Sequence, residues 1–168
     1  MPITPLHFGL GAALKAVLAG AFSFTVFALV NIVVDIEPVV RVVMASDRLH
    51  AHVHTYLGAT VIAVPCAIYG RALCEWALRV WNRNLDPKLE KLSVDPVISR
   101  TGAWSGSLLG AWSHVALDSI MHPDMEPLWP VARDNALLGL VSVEALSWSL
   151  VGLGVVGVAV LIVVRVIR

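Results

Sequence analysis

Between Ala16 and Val34 the chain runs 19 residues without a charged side chain. A helix needs roughly 20 apolar residues to cross the hydrocarbon of a bilayer. Three further apolar stretches follow, at Thr55 to Leu78, Thr101 to Met121 and Leu137 to Val164, the last ended by Arg165 and Arg168. In lipid the backbone must satisfy its own hydrogen bonds, which restricts such stretches to helices. Composition agrees: 58% of residues are hydrophobic and 14% charged, with a mean hydropathy of +0.80, where a soluble domain carries about 25% charge. One small core cannot hide that much apolar surface. The expected fold is all-α, a polytopic membrane bundle of about four to five helices. It forms a single integral membrane domain over residues 1–168.

Gly20 and Ser23 leave two readings of the first run open. Either Ala16–Val34 is one span, or Leu6–Ala19 and Ala21–Val34 are two shorter helices in a re-entrant hairpin covered by other helices. In the second stretch Arg71 and Glu75, four apart, can neutralise each other near a membrane boundary. Arg79–Arg100, which holds Asn82, Asn84, Asp86, Pro87 and Pro96, reads as a loop, and so does His122–Asn135. The third stretch is rich in small residues (Gly102, Ser105, Gly106, Gly110, Ala111) that let helices approach closely in lipid. Cys66 and Cys74 share one apolar stretch and read as small buried residues. No cleavable signal peptide is expected, because the opening MPITPLHFGLG lacks a basic n-region.

Basic residues orient the bundle. Arg79, Arg83, Lys88, Lys91, Arg100, Arg165 and Arg168 fall on the side of the long polar loop and the C-terminus, seven against Arg41, Arg48 and Arg133 on the other. The positive-inside rule then places the first side in the cytoplasm of a prokaryotic inner-membrane protein. Trp76, Trp81 and Trp104 fall near that boundary, as an interfacial aromatic belt does. Twelve Lys and Arg balance twelve Asp and Glu, so no nucleic-acid partner is expected. The expected partner is the lipid bilayer, with a lipid-linked substrate arriving sideways; the oligomeric state is left open.

Ionisable groups in or beside membrane helices are costly, so the places where they collect are informative. Asp35 and Glu37 in VDIEP end the first run, and Pro38 is expected to hold Glu37 extended. His50 and His54 in HAHVHTYLGA precede the second stretch, four apart and so on one face of a helical turn. His114 and Asp118 in SHVALDSIMHPD close the third with the same spacing, and His122 continues their face. Three segments distant in sequence thus bring histidines and carboxylates to one end of the bundle, the extracytoplasmic one.

A lone histidine at a helix end is more often interfacial or capping than a ligand. The convergence of three segments is what favours a metal site. Imidazole and carboxylate without thiolate suit zinc, and also manganese or iron. The number of candidates allows about one to three ions, since one zinc needs only three or four protein groups. Around a metal-activated water, Asp35, Glu37, His54 and Asp118 are the expected catalytic groups. His52 lies off the His50/His54 face and reads as solvated. Glu144 reads either as an acid orienting a ligand histidine or as a snorkelling interfacial residue, the second being favoured. Three other classes stay open: a membrane haem protein, a metal or proton carrier, and an interaction protein without catalysis.

Taken in order over most of the chain, PLHFGLG, VDIEP, HAHVHTYLGA and SHVALDSIMHP resemble the motifs of the YdjM-like inner-membrane metal-dependent hydrolases. That resemblance implies a ligand pattern like that of zinc-dependent phospholipase C and hydrolysis of an ester or phosphoester. It also implies His7, Asp35, Glu37, His50, His54, His114 and Asp118 as ligands. His7 can join them only if the N-terminus is the re-entrant hairpin, which puts His7 and Asp35 on one side.

Overall fold

A computed structural model describes Thr4 to Ile167, and every regular element among these residues is helical. α1 (His7–Leu18) and α2 (Phe24–Val34) form a hairpin, and α3 (Ile36–Val43) follows directly. α4 (Tyr56–Pro65) passes through a π turn, Cys66–Gly70, into α5 (Arg71–Arg83). The π turn falls where Pro65, lacking an N–H, cannot continue the regular ladder. α6 (Arg100–Met121) and α7 (Val143–Ile167) complete the set.

The N-terminal run is therefore two short helices and not one span. At 12 and 11 residues each rises only about 16–18 Å. Their turn is closed by protein groups. Lys15 Nζ donates to the carbonyls of Ala19 (2.7 Å) and Phe22 (2.9 Å). Ser99 Oγ donates to Gly20 O (3.2 Å), and Ser105 Oγ donates to Ala21 O. Each carbonyl from residue 19 to 22 thus has a side-chain donor, so the turn's backbone acceptors are satisfied within the protein. Ser23 caps α2 by accepting from Val26 N–H (3.3 Å), while its own N–H donates to Gly102 O (2.9 Å).

α6 is the axis of the fold, packed between α2 and α4. Its glycines set that contact. A Cβ on Gly106 would lie 2.4 Å from the carbonyl oxygen of Ser23, so only glycine permits this approach of α6 to α2. α1 meets α7 in the same way, since a Cβ on Gly9 would lie 2.0 Å from Leu150 O. The apolar core between α2, α4 and α6 holds Val30, Val34, Ala59, Ala63, Ala111, Val115 and Met125.

Several local expectations change. Glu37 is helical, in the first turn of α3, where Pro38 is tolerated because the first N–H groups of a helix lack intrahelical partners. The segment after Arg79 stays helical to Arg83, then makes a 3-10 turn over Pro87–Leu92 whose start Asp86 caps. The last helix begins at Val143, not Leu137. Ahead of it Gly139 takes φ +70°, and Ser142 Oγ accepts from Ala145 N–H (3.2 Å) as the capping group. Cys66 and Cys74 are free and buried, and Arg71 Nε donates to Glu75 Oε1 at 3.0 Å.

Two helical stretches, Tyr56–Arg83 and Val143–Ile167, are long and apolar enough to cross a membrane. α6 has the length but falls short in hydropathy. The cause is its inward face, where Ser107, His114, Asp118 and Ser119 are buried beside its glycines.

Candidate metal centre

Four elements converge at the end of the bundle where α2 and α6 finish. α6 contributes His114 and Asp118, one turn apart, and α2 ends at Asp35. The hairpin returns the N-terminus to the same place, so His7 opens α1 beside them. His54 arrives on the segment between α3 and α4.

His114 Nε2 lies 3.2 Å from Asp35 Oδ1 and 3.2 Å from Asp118 Oδ2. His54 Nε2 lies 3.9 Å from Asp35 Oδ1 and 3.8 Å from Asp118 Oδ2. His7 Nε2 is 3.3 Å from Asp118 Oδ1, and its ring stacks on that of His114 with centroids 4.6 Å apart. One ligand atom from each of Asp35, His54, His114 and Asp118 lies within 4.8 Å of the others, a grouping that could hold a metal ion.

The hydrogen bonds at the far side of each ring fix its tautomer. His54 Nδ1 faces Glu37 Oε2 at 3.0 Å. His114 Nδ1 faces Asn31 Oδ1 at 2.9 Å, and that amide is oriented because its Nδ2 donates to Phe27 O (2.8 Å). Both partners are acceptors, so the proton is assigned to Nδ1 in each ring and the Nε2 lone pair points inward. The Nε2 atoms of His7, His54 and His114 are all buried without a hydrogen-bond partner, as is His7 Nδ1. Buried polar atoms are otherwise almost always paired. Without an ion these nitrogens can be satisfied only by protons shared with the facing carboxylates; with their lone pairs free, they and the carboxylates form a set of acceptors into which a divalent cation fits. The donor set fits a metal.

Glu37, expected among the ligands, lies outside that group of four. Its oxygens accept from the backbone N–H groups of Ala51 (3.3 Å), His52 (3.1 Å) and Val53 (3.1 Å) as well as from His54, and Arg41 Nε donates to it at 3.3 Å. It folds the 51–54 segment around itself and aims His54. Burial alone would raise the Glu37 carboxyl, but the bonds from His54 and Ala51 and the charge of Arg41 hold it at about 2. Burial likewise disfavours a charged His54, yet Asp35 and Glu37 outweigh it and raise its pKa above the ordinary 6.5. The carboxylates draw positive charge into the centre.

His50 and His54 do meet, with ring centroids 4.8 Å apart, but through a non-helical segment and not a helical turn. His50 sits beside the group of four with its Nδ1 turned to Asp124 (2.9 Å). His52 is exposed and stacks on Trp129 at 4.9 Å, and Glu144 is exposed at the start of α7. Sequence reasoning passed over Asn31 and Asp124. Asn31 had a signal, being the one amide in a charge-free apolar run and one turn before Asp35. Asp124 had none, because its partner His50 is 74 positions away.

Comparison with family models, with curated proteins and with solved structures returns no match. What the centre can do follows from its own chemistry.

Proposed function

We propose that this chain is a polytopic membrane hydrolase of the YdjM-like kind, with a divalent ion, zinc by its donor set, held by Asp35, His54, His114 and Asp118 and flanked by His7. The observation that carries the reading is the set of three buried, unpartnered Nε2 atoms aimed at two carboxylates. When bound, such an ion supplies Lewis acidity and brings the pKa of water toward neutrality. The chain does the rest. Glu37 and Asn31 hold the two imidazoles in their binding tautomers, Asp118 joins α6 to His7, and the Asp35 side chain, 26% exposed, stands at the open edge to take a proton.

An ester or phosphoester of a lipid suits the surroundings. A cleft of about 770 Å³ opens beside Glu37, lined by apolar Val33, Ile36, Val40, Met44 and Ile62, with Arg41 as its cation. An acyl chain fits such walls. α3 leaves Val39, Val42 and Val43 exposed, as a helix lying in a membrane interface does. With α1 and α2 as a hairpin, Lys15 joins the end that carries the seven basic residues, which supports a cytoplasmic reading of that end and an extracytoplasmic one of the metal centre.

Metal content of detergent-purified protein, read beside hydrolysis of phosphatidic acid and carboxylic esters in mixed micelles, tests the reading. Bound zinc, manganese or iron with turnover, both lost in His54→Ala and in Asp118→Ala while the helical signal persists, is the expected result. Unchanged turnover in the two variants, or no metal after reconstitution with each ion, overturns it.

A further inference from the structure

The four-group centre leaves part of Asp118 and a neighbouring set of histidines unused. Asp118 Oδ2 faces His54 and His114, whereas Oδ1 faces His7. One turn beyond Asp118, His122 caps α6, its N–H donating to Asp118 O at 2.8 Å. The ring of His122 stacks on that of His50 with centroids 4.3 Å apart. One ligand atom from each of His50, Asp118 and His122 lies within 4.8 Å of the other two.

His50 is held as firmly as His54, and by the same device. Its Nδ1 lies 2.9 and 3.1 Å from the two Asp124 oxygens, and Asp124 Oδ2 also accepts from the N–H groups of Leu49 (3.0 Å) and His50 (2.9 Å). Arg48 ties the two loops together by donating to Asp124 O (3.2 Å) and pairing with Glu126 (3.2 Å). A carboxylate that fixes one nitrogen of an imidazole and leaves the other available is the outer support that metal-ligating histidines have. Glu37 with His54 and Asp124 with His50 are two copies of that support, on either side of Asp118. His7, 1% exposed, sets its Nε2 3.3 Å from the Asp118 oxygen that the first group does not use, while its Nδ1 has no partner.

We infer that the centre is binuclear: a second divalent ion is held by His50, His122 and Asp118, with Asp118 bridging the two ions and Asp124 acting as a positioning residue for His50. Three protein ligands leave the second ion an open coordination position, the arrangement of a catalytic and not a purely structural site. Two ions sharing a carboxylate match the two oxygens of a phosphoester that change charge during hydrolysis. The inference rests on the metal reading above and narrows its substrate class from esters in general to phosphoesters.

The test loads the full-length, detergent-purified protein with manganese and reads both stoichiometry and electron paramagnetic resonance. About two ions per chain with an exchange-coupled spectrum are expected, as for metals at the short spacing of two-metal sites. His122→Ala and His50→Ala should each retain one ion and show the six-line spectrum of isolated manganese. Asp124→Asn should weaken the second ion by about 10–100-fold while the first stays bound. A single ion in the wild type with an uncoupled spectrum overturns the second site and leaves the first standing, whatever the variants do. No ion in the wild type overturns both. Two ions retained in both histidine variants place the second elsewhere and overturn the assignment.

Discussion

α6 and α7 are the two longest single helices, and they reverse the arrangement that water imposes. α7 is the more apolar, yet it buries only Leu146, Leu150 and Gly157 and presents Val155, Val156, Ile162 and Val163 outward. α6 carries a histidine, an aspartate and several serines, and it is the one enclosed. In a soluble fold the apolar helix would take the centre. Here small and polar residues face inward and the apolar helix faces out, as when the surroundings are lipid and helix contact depends on close approach and hydrogen bonds. The enclosed helix carries His114, whose buried Nε2 faces two carboxylates within a group that could hold a metal ion.

The sharpest way to break this contrast is to place the same methyl group on each helix. Gly106→Ala in α6 drives a Cβ to 2.4 Å from a backbone oxygen of Ser23, which cannot step aside without moving α2. The cost should reach the upper end of the ~1–3 kcal/mol of overpacking, and α2 carries Asn31 and Asp35, so bound metal should fall with the melting temperature. An unchanged melting temperature in detergent would show that α6 is not held against α2 as described.

The next effect leaves the helices in place and disturbs only their polar contact. Asn31→Leu replaces the acceptor that orients His114 Nδ1 with an apolar group of similar size. Metal affinity should drop about 10–100-fold, the usual loss when a partner behind a ligand histidine is removed. Equilibrium dialysis against a zinc buffer measures it. Retained affinity would mean that α6 holds His114 without help from α2.

A smaller effect separates the loops from both helices. Glu37 has a folded pKa of about 2 against an ordinary 4.5. A depressed carboxyl contributes stability that is present above its unfolded value and lost as pH falls through the folded one. With metal chelated, the unfolding midpoint should therefore decline from about pH 4.5 toward pH 2, with the 51–54 segment loosening first. Glu37→Gln should flatten that decline. An equal decline in the variant would assign the acid sensitivity to other carboxylates.

How much of this was legible in the sequence divides along the same line. The bounds of α6 and the pairing of His114 with Asp118 follow from a spacing of four within one apolar stretch, a local signal. The two readings of residues 6–34 were legible as alternatives, but the choice between them depends on Ser99 and Ser105, which close the hairpin turn from more than 70 positions away. The loops were the least legible. Glu37 becomes the hub of the 51–54 segment, and Asp124 the anchor of His50, through contacts that no local pattern encodes. Pro38 suggested an extended Glu37 because proline restrains the residue before it; α3 starting directly at the end of α2 overrides that preference. A site assembled from four elements shows its residue types in sequence, while the division into ligands and supports emerges only from packing.

The smallest expected effect is the control that gives the first its meaning. Gly152 lies in α7, and a Cβ built there meets nothing within 4 Å. Alanine loses less conformational freedom than glycine on entering a helix, so Gly152→Ala should be neutral or stabilise by up to about 1 kcal/mol. Metal content should be unchanged, because α7 packs chiefly on α1 and supplies none of the grouped ligand atoms. Thermal unfolding of Gly152→Ala and Gly106→Ala in the same detergent should therefore move in opposite directions for one and the same added methyl. If Gly152→Ala instead destabilised the protein as much as Gly106→Ala does, the outer face of α7 would be covered by something other than lipid or detergent, a second copy of the chain being the first to examine by cross-linking.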